Sequence, residues 1–350
     1  MPTGTRTDVT PPDLPWHDLH HHGDVEATPG LLDLAVNVRG TEPPAWLRGR
    51  LERGLSGLGA YPDQRSAVRA VTRRHGREAA EVLLTAGGAE AFVLLARALQ
   101  PQHAVCVHPS FTEPEAALLA AGHVVHRLVL EPPYVLRPED VPDAADLVVL
   151  GNPTNPTGVV HEDVERLCRP GRVVVVDEAF SDTVPGEPHS LAARADLPGL
   201  VVVRSLTKTW ALAGLRVGYL LAPADLVERL RAAQPLWAVS SLALVALETC
   251  LARGPVSAAD KESRVVDAER GRLEQALTEV GVEVSPGSRS SYLLCRVRGR
   301  PDVREGLRGK GIAVRRGDTF PGLTDEHWRT AVRGPQESER LVSALRELLG

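Results

Sequence analysis

A hydroxyl, an amine and a guanidinium stand within twelve residues of one another at Ser205, Lys208 and Arg216. Of the 40 Lys and Arg residues only three are lysines, Lys208, Lys261 and Lys310. An amine can lose its proton and form a Schiff base with a carbonyl compound, whereas a guanidinium stays charged. Lys261 and Lys310 have charged or Gly-rich neighbours, as solvated surface residues do. Lys208 instead follows the run Val201-Val202-Val203 and precedes Trp210-Ala211-Leu212. Partial desolvation there lowers an amine's pKa. A lysine at any strand end has the same local spacing, so the other motifs have to decide.

Four of them end or follow predicted strands. Val173-Val174-Val175-Val176 runs into Asp177, and a buried carboxylate is costly unless it meets a cation or hydrogen-bond donors. In Asn152-Pro153-Thr154-Asn155-Pro156-Thr157-Gly158 the prolines restrict the loop, so that Asn155 can act as a fixed donor. Gly87-Gly88-Ala89-Glu90 joins a strand over 82–85 to a helix over 91–99. Such a junction points free backbone N–H groups and the positive helix end at one spot, which suits a phosphate dianion. Neither GxGxxG nor GxxxxGK[ST] occurs there, which argues against a nucleotide site. Phe111 follows the strand 104–108 and is placed to lie flat on a heterocycle.

These residues need a scaffold that brings strand ends together. Strands at 104–108, 123–130, 147–151, 172–177 and 217–221 alternate with helices at 66–75, 113–121, 161–168, 223–233 and 236–251. Near-continuous Val and Leu strands separated by helices predict a mostly parallel sheet covered on both faces, an α/β fold with ligands beyond the strands' carboxyl ends. After a break at Gly254-Pro255, a long charged helix (258–280), strands (292–297, 312–314, 328–332) and helices (301–308, 337–349) predict a smaller α/β unit. The expected organisation is an N-terminal arm (1–29), a small domain (30–58 with 255–350) and a large domain (59–254). Arg329 and Arg333 lie four residues apart, hence on one face of a predicted strand.

Composition narrows the function classes. A net charge of -5 over 350 residues, with scattered basic residues, argues against nucleic acid or an acidic membrane as partner. Cys106, Cys168, Cys250 and Cys295 are far apart without a CxxC pair, as expected of reduced thiols in a cytoplasm. No apolar run reaches the ~18 residues of a membrane span. His20-His21-His22-Gly23-Asp24 suggests a metal, but adjacent histidines cannot all face one ion from a regular element, and no metal is expected.

The stretch from Ser205 to Tyr219 resembles the lysine signature of the class I/II aminotransferases, enzymes of fold type I that use pyridoxal 5'-phosphate (PLP). The likeness runs from about Leu31 to the C-terminus and points to the histidinol-phosphate aminotransferase and threonine-phosphate decarboxylase branch. It implies that Lys208 carries the cofactor and that Asp177 meets its pyridine nitrogen. Asn155 would donate to its phenolic oxygen, and Phe111 would stack on its ring. Ser205, Arg216 and the amides of Gly88 and Ala89 would hold its phosphate. Tyr61, in a Tyr-Pro pair, would reach the phosphate of a neighbouring subunit, which implies a homodimer with shared sites. Asn37 and Arg329, with Arg333 as a second anion site, would meet the substrate.

Two departures from the family pattern stand out. Asn37 is followed by Val38-Arg39-Gly40 where the family usually has proline and a glycine turn. Phe180 stands where many aminotransferases have a tyrosine, and the Asp-Glu-Ala-Phe form and the histidine run look like the decarboxylase branch. The resemblance therefore implies transamination of a small, phosphorylated amino compound with a 2-oxo acid. Threonine-phosphate decarboxylation is the alternative, and a PLP-binding protein without turnover is a second.

Overall fold

The computed structural model describes residues 19–350 and the backbone of Arg6–Asp8; the rest of the predicted arm lies outside the described residues. In chain order the strands are β1 (Arg6–Asp8), β2 (Leu32–Asp33), β3 (Val82–Thr85), β4 (Ala104–His108), β5 (Val125–Val129), β6 (Leu147–Gly151) and β7 (Val173–Asp177). They continue as β8 (Leu200–Ser205), β9 (Gly218–Leu221), β10 (Glu283–Val284), β11 (Tyr292–Arg296), β12 (Ile312–Ala313), β13 (Arg315–Arg316) and β14 (His327–Ala331). Eight of them form one sheet in the order β1-β5-β4-β6-β7-β8-β9-β3. The five from β5 to β8 in that order run parallel, while β1, β9 and β3 join antiparallel.

Alternation along the strands explains why their valines and leucines are almost continuous. Val105, Val148, Val174 and Val202 enter the apolar cluster on one face of the sheet. Their neighbours Cys106, Val149, Val175 and Val203 enter the cluster on the other. A strand buried on both faces has little room for polar residues before its end. His108, Asp177 and Ser205 close β4, β7 and β8, and Gly151 closes β6; the one charge inside these four strands, Arg204, is buried and held by Glu178.

A second sheet, β10-β11-β14-β13, and the pair β12-β2 pack with the long helix Arg253–Glu279 and the terminal helix Pro335–Leu349. Leu47, on the helix Ala45–Gly54, joins a cluster of the large sheet, so that helix sides with the large sheet although 30–58 was expected with the small unit.

Three local expectations are corrected. The predicted helix 161–168 is one short turn, Val164–Leu167, preceded by Asp163 in a left-handed conformation (φ 56°) and stopped before Pro170, which disfavours helix in the residue ahead of it. The predicted helix 236–251 starts at Ser241, where the Ser240 hydroxyl accepts from the Ala243 N–H at 3.2 Å. Gly254-Pro255 does not break a helix but lies in the first turn of Arg253–Glu279, where the missing proline N–H has no intrahelical partner to lose.

Candidate active site

The carboxyl ends of β4, β6, β7 and β8 open onto a cavity of about 440 Å³ whose far wall comes from the second sheet. Phe111, Asn155, Asp177, Phe180, Lys208 and Arg216 line it from the large-sheet side; Asn37 and Arg329 line it from the other. Behind the strand ends, Glu178 accepts from Arg204 at 2.9 Å and from the Ser190 hydroxyl at 2.6 Å, clamping β7 to β8. The Thr209 hydroxyl donates to Asp182 at 2.6 Å and tethers the residue next to Lys208.

Burial lowers Lys208 to about 8, with Arg329 and Arg216 acting in the same direction and Asp177 and Asp24 against it. Its Nζ lies 5.8 Å from the centre of the Phe180 ring. Asp177 is pushed up to about 6 by burial, against the pull of the Ala179 N–H and Lys208. The Ala179 N–H donates to Asp177 Oδ1 at 3.0 Å, leaving the second oxygen for another partner.

A pocket for an anion lies beside Lys208. Gly87 has φ +78°, a conformation that favours glycine, and a Cβ there would come within 2.6 Å of Arg216 Nη2. Arg216 is itself left-handed (φ 52°) and donates to the Ala213 carbonyl at 3.0 Å. The helix begins at Gly87 rather than Ala91, so the Gly88 and Ala89 amides are in its first turn, which lacks intrahelical acceptors. Ser205 pairs across the sheet with Gly218. A Cβ on Gly218 would stand 3.1 Å from the Gly87 carbonyl carbon, so Gly218 packs between the two. Gly87 is thus the residue seen against Arg216, while Gly88 and Ala89 follow it in the chain, Ser205 faces Gly218, and none of these three lines the main cavity.

On the far wall Arg329 is held by three groups. Its Nη1 donates to Asn155 Oδ1 and its Nη2 to the Ala35 carbonyl. The Asn37 amide, with its oxygen toward the guanidinium, accepts from Nη1 and Nε at 3.2 Å each. Arg315 on β13 pairs directly across from Arg329 on β14. Arg315 is buried at 3% exposure, and its Nη2 donates to the His21 carbonyl and the Thr319 hydroxyl, both at 2.6 Å. Its Nη1 is buried without a partner. Burial and the neighbouring Arg329 both work against its charge.

Arg333 lies outside the cavity of Lys208. Regular alternation ends with β14 at Ala331, and the Arg333 Nη2 turns to donate to the Val36 carbonyl at 2.6 Å. It lines an adjoining cleft with Asp33, Arg39 and Glu337, not the cavity of Lys208. Tyr61 is also outside the cavity. It is 75% exposed and stacks on Trp237, with ring centres 4.2 Å apart. The histidine run does reach the site: His22, Gly23 and Asp24 line the cavity, and His22 Nε2 lies 2.7 Å from Glu113 Oε1. Arg315 and Phe320 are further wall residues that the sequence reading missed. A two-residue strand carries no periodic signal, and Arg315 becomes conspicuous only once it is seen opposite Arg329.

The fold and these groups define a member of a known enzyme class. The family model for aminotransferase class I and II matches residues 30–345, and the chain belongs to that family. It is 48% identical over 332 residues to a histidinol-phosphate aminotransferase of Mycobacterium tuberculosis (strain H37Rv), covering 93% of this chain and 90% of the relative. It is 32% identical over 336 residues to the threonine-phosphate decarboxylase of Salmonella typhimurium, covering 91% of each. Among solved structures it resembles the histidinol-phosphate aminotransferase from Clostridium acetobutylicum, with TM-score 0.83, 25% identity and coverage of 91% of this chain and 99% of the other. The aspartate aminotransferase from Thermus thermophilus, at 22% identity and TM-score 0.79, shares the fold.

Proposed function

We propose that the protein is a PLP-dependent transaminase whose amino substrate carries a phosphate, with histidinol phosphate the first candidate and a 2-oxo acid the second substrate. The residues present fit the cofactor. The cradle at Gly87, which a Cβ would fill, suits a phosphate beside Arg216, and the free oxygen of Asp177 suits a protonated ring nitrogen. Asn155 gives its amide oxygen to Arg329, so its N–H groups remain to donate to a phenolic oxygen. Bound PLP would act as an electron sink for bonds broken at the substrate's Cα. Lys208, with its pKa near 8, supplies an amine that can exist neutral near physiological pH and move a proton at that carbon.

The observation that carries the substrate class is the pair Arg315 and Arg329. Like charges directly opposite on neighbouring strands repel, and here both are buried in the wall of one cavity, one of them with an unpartnered nitrogen. An anion with several oxygens would relieve both conditions, and phosphate accepts from two guanidinium forks. The experiment supplies histidinol phosphate and threonine phosphate, each with and without 2-oxoglutarate. Glutamate formed only when the keto acid is present is the expected result.

A second reading is supported by Phe180, which brings no hydroxyl to the cavity, together with His22 and Asp24 in its wall. If the two arginines take a phosphate, the substrate carboxylate is left without a fixed cation and can lie out of the ring plane, as decarboxylation needs. Carbon dioxide released from threonine phosphate without any keto acid would establish that reading and overturn the first.

The protein is also proposed to act as a homodimer. Tyr61, with its neighbour Leu58, and Trp237, with its neighbour Leu236, are at least half exposed, an apolar surface that a second copy would cover. Sedimentation of the active protein is expected to give twice the chain mass, and full activity in a strict monomer would rule the dimer out. Four cysteines, none in a disulfide, are consistent with a reducing cytoplasm.

A further inference from the structure

A second cavity of about 20 Å³ adjoins the first, sharing Phe111, Asn155, Asp177 and Phe180 with it and reaching inward to His108, Glu115 and Gly151. Its origin is the strand register. Ala104 on β4 stands opposite Leu147 on β6, which stands opposite Val173 on β7. Four residues further on, with side chains returned to the same face, come His108, Gly151 and Asp177. The middle residue has no side chain. At a spacing of about 4.8 Å per strand, His108 and Asp177 are about 10 Å apart at the backbone with only glycine between them. The gap has room for one water.

His108 is buried at 1% exposure, and neither ring nitrogen has a hydrogen-bond partner of good geometry in the protein. Its Nε2 lies 2.9 Å from Glu115 Oε2, off the axis of a well-formed bond. Glu115 Oε1 accepts from Arg127 Nε at 2.8 Å. Burial pushes Glu115 up, but His108 and Arg127 together outweigh it and hold the carboxyl below its ordinary value. Glu115 beside Nε2 keeps a proton on that nitrogen and leaves Nδ1 without a partner. A buried polar nitrogen without a partner is costly, and the adjoining cavity is where one can stand.

The geometry points to His108 as a positioning residue for Asp177, joined to it by one water that is hydrogen-bonded to His108 Nδ1 and donates a hydrogen to the Asp177 carboxylate. The inference rests on the cofactor role proposed for Asp177 above. With the Ala179 N–H on one side and the water on the other, the carboxylate has two donors that favour its ionised form and fix its direction. Glu115 and Arg127 face the pair from the His108 side, and Lys208 and Glu178 from the Asp177 side.

The test compares the PLP-loaded protein with its His108→Leu and His108→Gln variants. Leucine cannot hydrogen-bond to the water; glutamine can. The readout is the rate of PLP release as a function of pH. In His108→Leu, the midpoint of the acid-promoted rise in release is expected to lie about one pH unit higher than in the unaltered protein, as Asp177 protonates earlier by about one unit. His108→Gln should keep the midpoint of the unaltered protein. Profiles of His108→Leu and the unaltered protein that superimpose would overturn the inference. A high-resolution crystal structure of the unaltered protein decides it even if the leucine variant does not fold. A water within hydrogen-bond distance of both His108 Nδ1 and Asp177 supports it, and a dry cavity sinks it. Failure of the unaltered protein to take up PLP would count against the proposed function, while the crystal structure would still decide the water.

Discussion

Replacing Lys208 by alanine is expected to lower turnover by a factor on the order of 10³ to 10⁴, because the loss of a positioned general base alone has about that effect. The variant should also lose its near-visible PLP absorbance on dialysis, since the covalent link goes with the amine. Neither remaining lysine can take over. Lys261 is on the exposed side of the helix Arg253–Glu279, and Lys310 is paired with Glu347 at 2.6 Å. At a pKa near 8, about a tenth of Lys208 is neutral at pH 7, against roughly one part in 3,000 for an ordinary lysine. Uptake of PLP by the empty protein should therefore accelerate as pH rises and level off above about 8. The fold should survive, because the substitution removes a charge that burial disfavours. An unaltered band in Lys208→Ala, in a protein of normal circular dichroism, would move the covalent link elsewhere.

Much of this site could be read before any coordinates, for a physical reason. A strand buried on both faces disfavours polar side chains along its length, so an apolar run such as Val173–Val176 or Val201–Val203 announces a strand end close behind it. In a parallel sheet those ends share one edge. Asp177 and Lys208 were legible because their apolar runs announce them, and Asn155 because two prolines bracket it. Gly87 was legible as a glycine at a strand-to-helix turn, although its closeness to Arg216 was not.

What escaped the sequence depends on contacts between distant segments. Arg315 sits on a two-residue strand and looks like one more arginine in an arginine-rich chain; its meaning comes from Arg329, directly across the ladder. Arg333, which lines the adjoining cleft, meets a different limit. Counting by twos along a strand is sound only while the strand lasts, and β14 ends two residues before it. The edge strand β1 was hidden in a segment without periodicity, because three residues paired with Val129, Leu128 and Arg127 need no pattern of their own. The joint role of His108, Gly151 and Asp177 depends on register between three strands, which no single segment encodes.

Asp177→Ala separates cofactor binding from catalysis. A charge-assisted hydrogen bond to the ring nitrogen is worth about 1.5 to 3 kcal/mol, so PLP affinity should fall about ten- to a hundredfold. Gly87, Arg216 and Lys208 remain to retain the cofactor at high concentration. Turnover at saturating PLP should fall much further, by at least two orders of magnitude, because only an ionised carboxylate keeps the ring nitrogen protonated while electrons are drawn from the substrate. Asp177→Asn should resemble alanine in turnover, since an amide cannot hold that proton against solvent. In the unaltered protein the same logic gives a direction with pH. Burial raises Asp177 to about 6 before any cofactor is bound, and a carboxyl protonated below that value cannot pair with a protonated ring. Affinity for PLP should therefore weaken as pH falls through about 6, and Asp177→Ala should remove that dependence. Affinity and turnover measured against pH for the three proteins check both parts. Near-normal turnover in Asp177→Ala at saturating PLP would show that the carboxylate is not what keeps the ring nitrogen protonated.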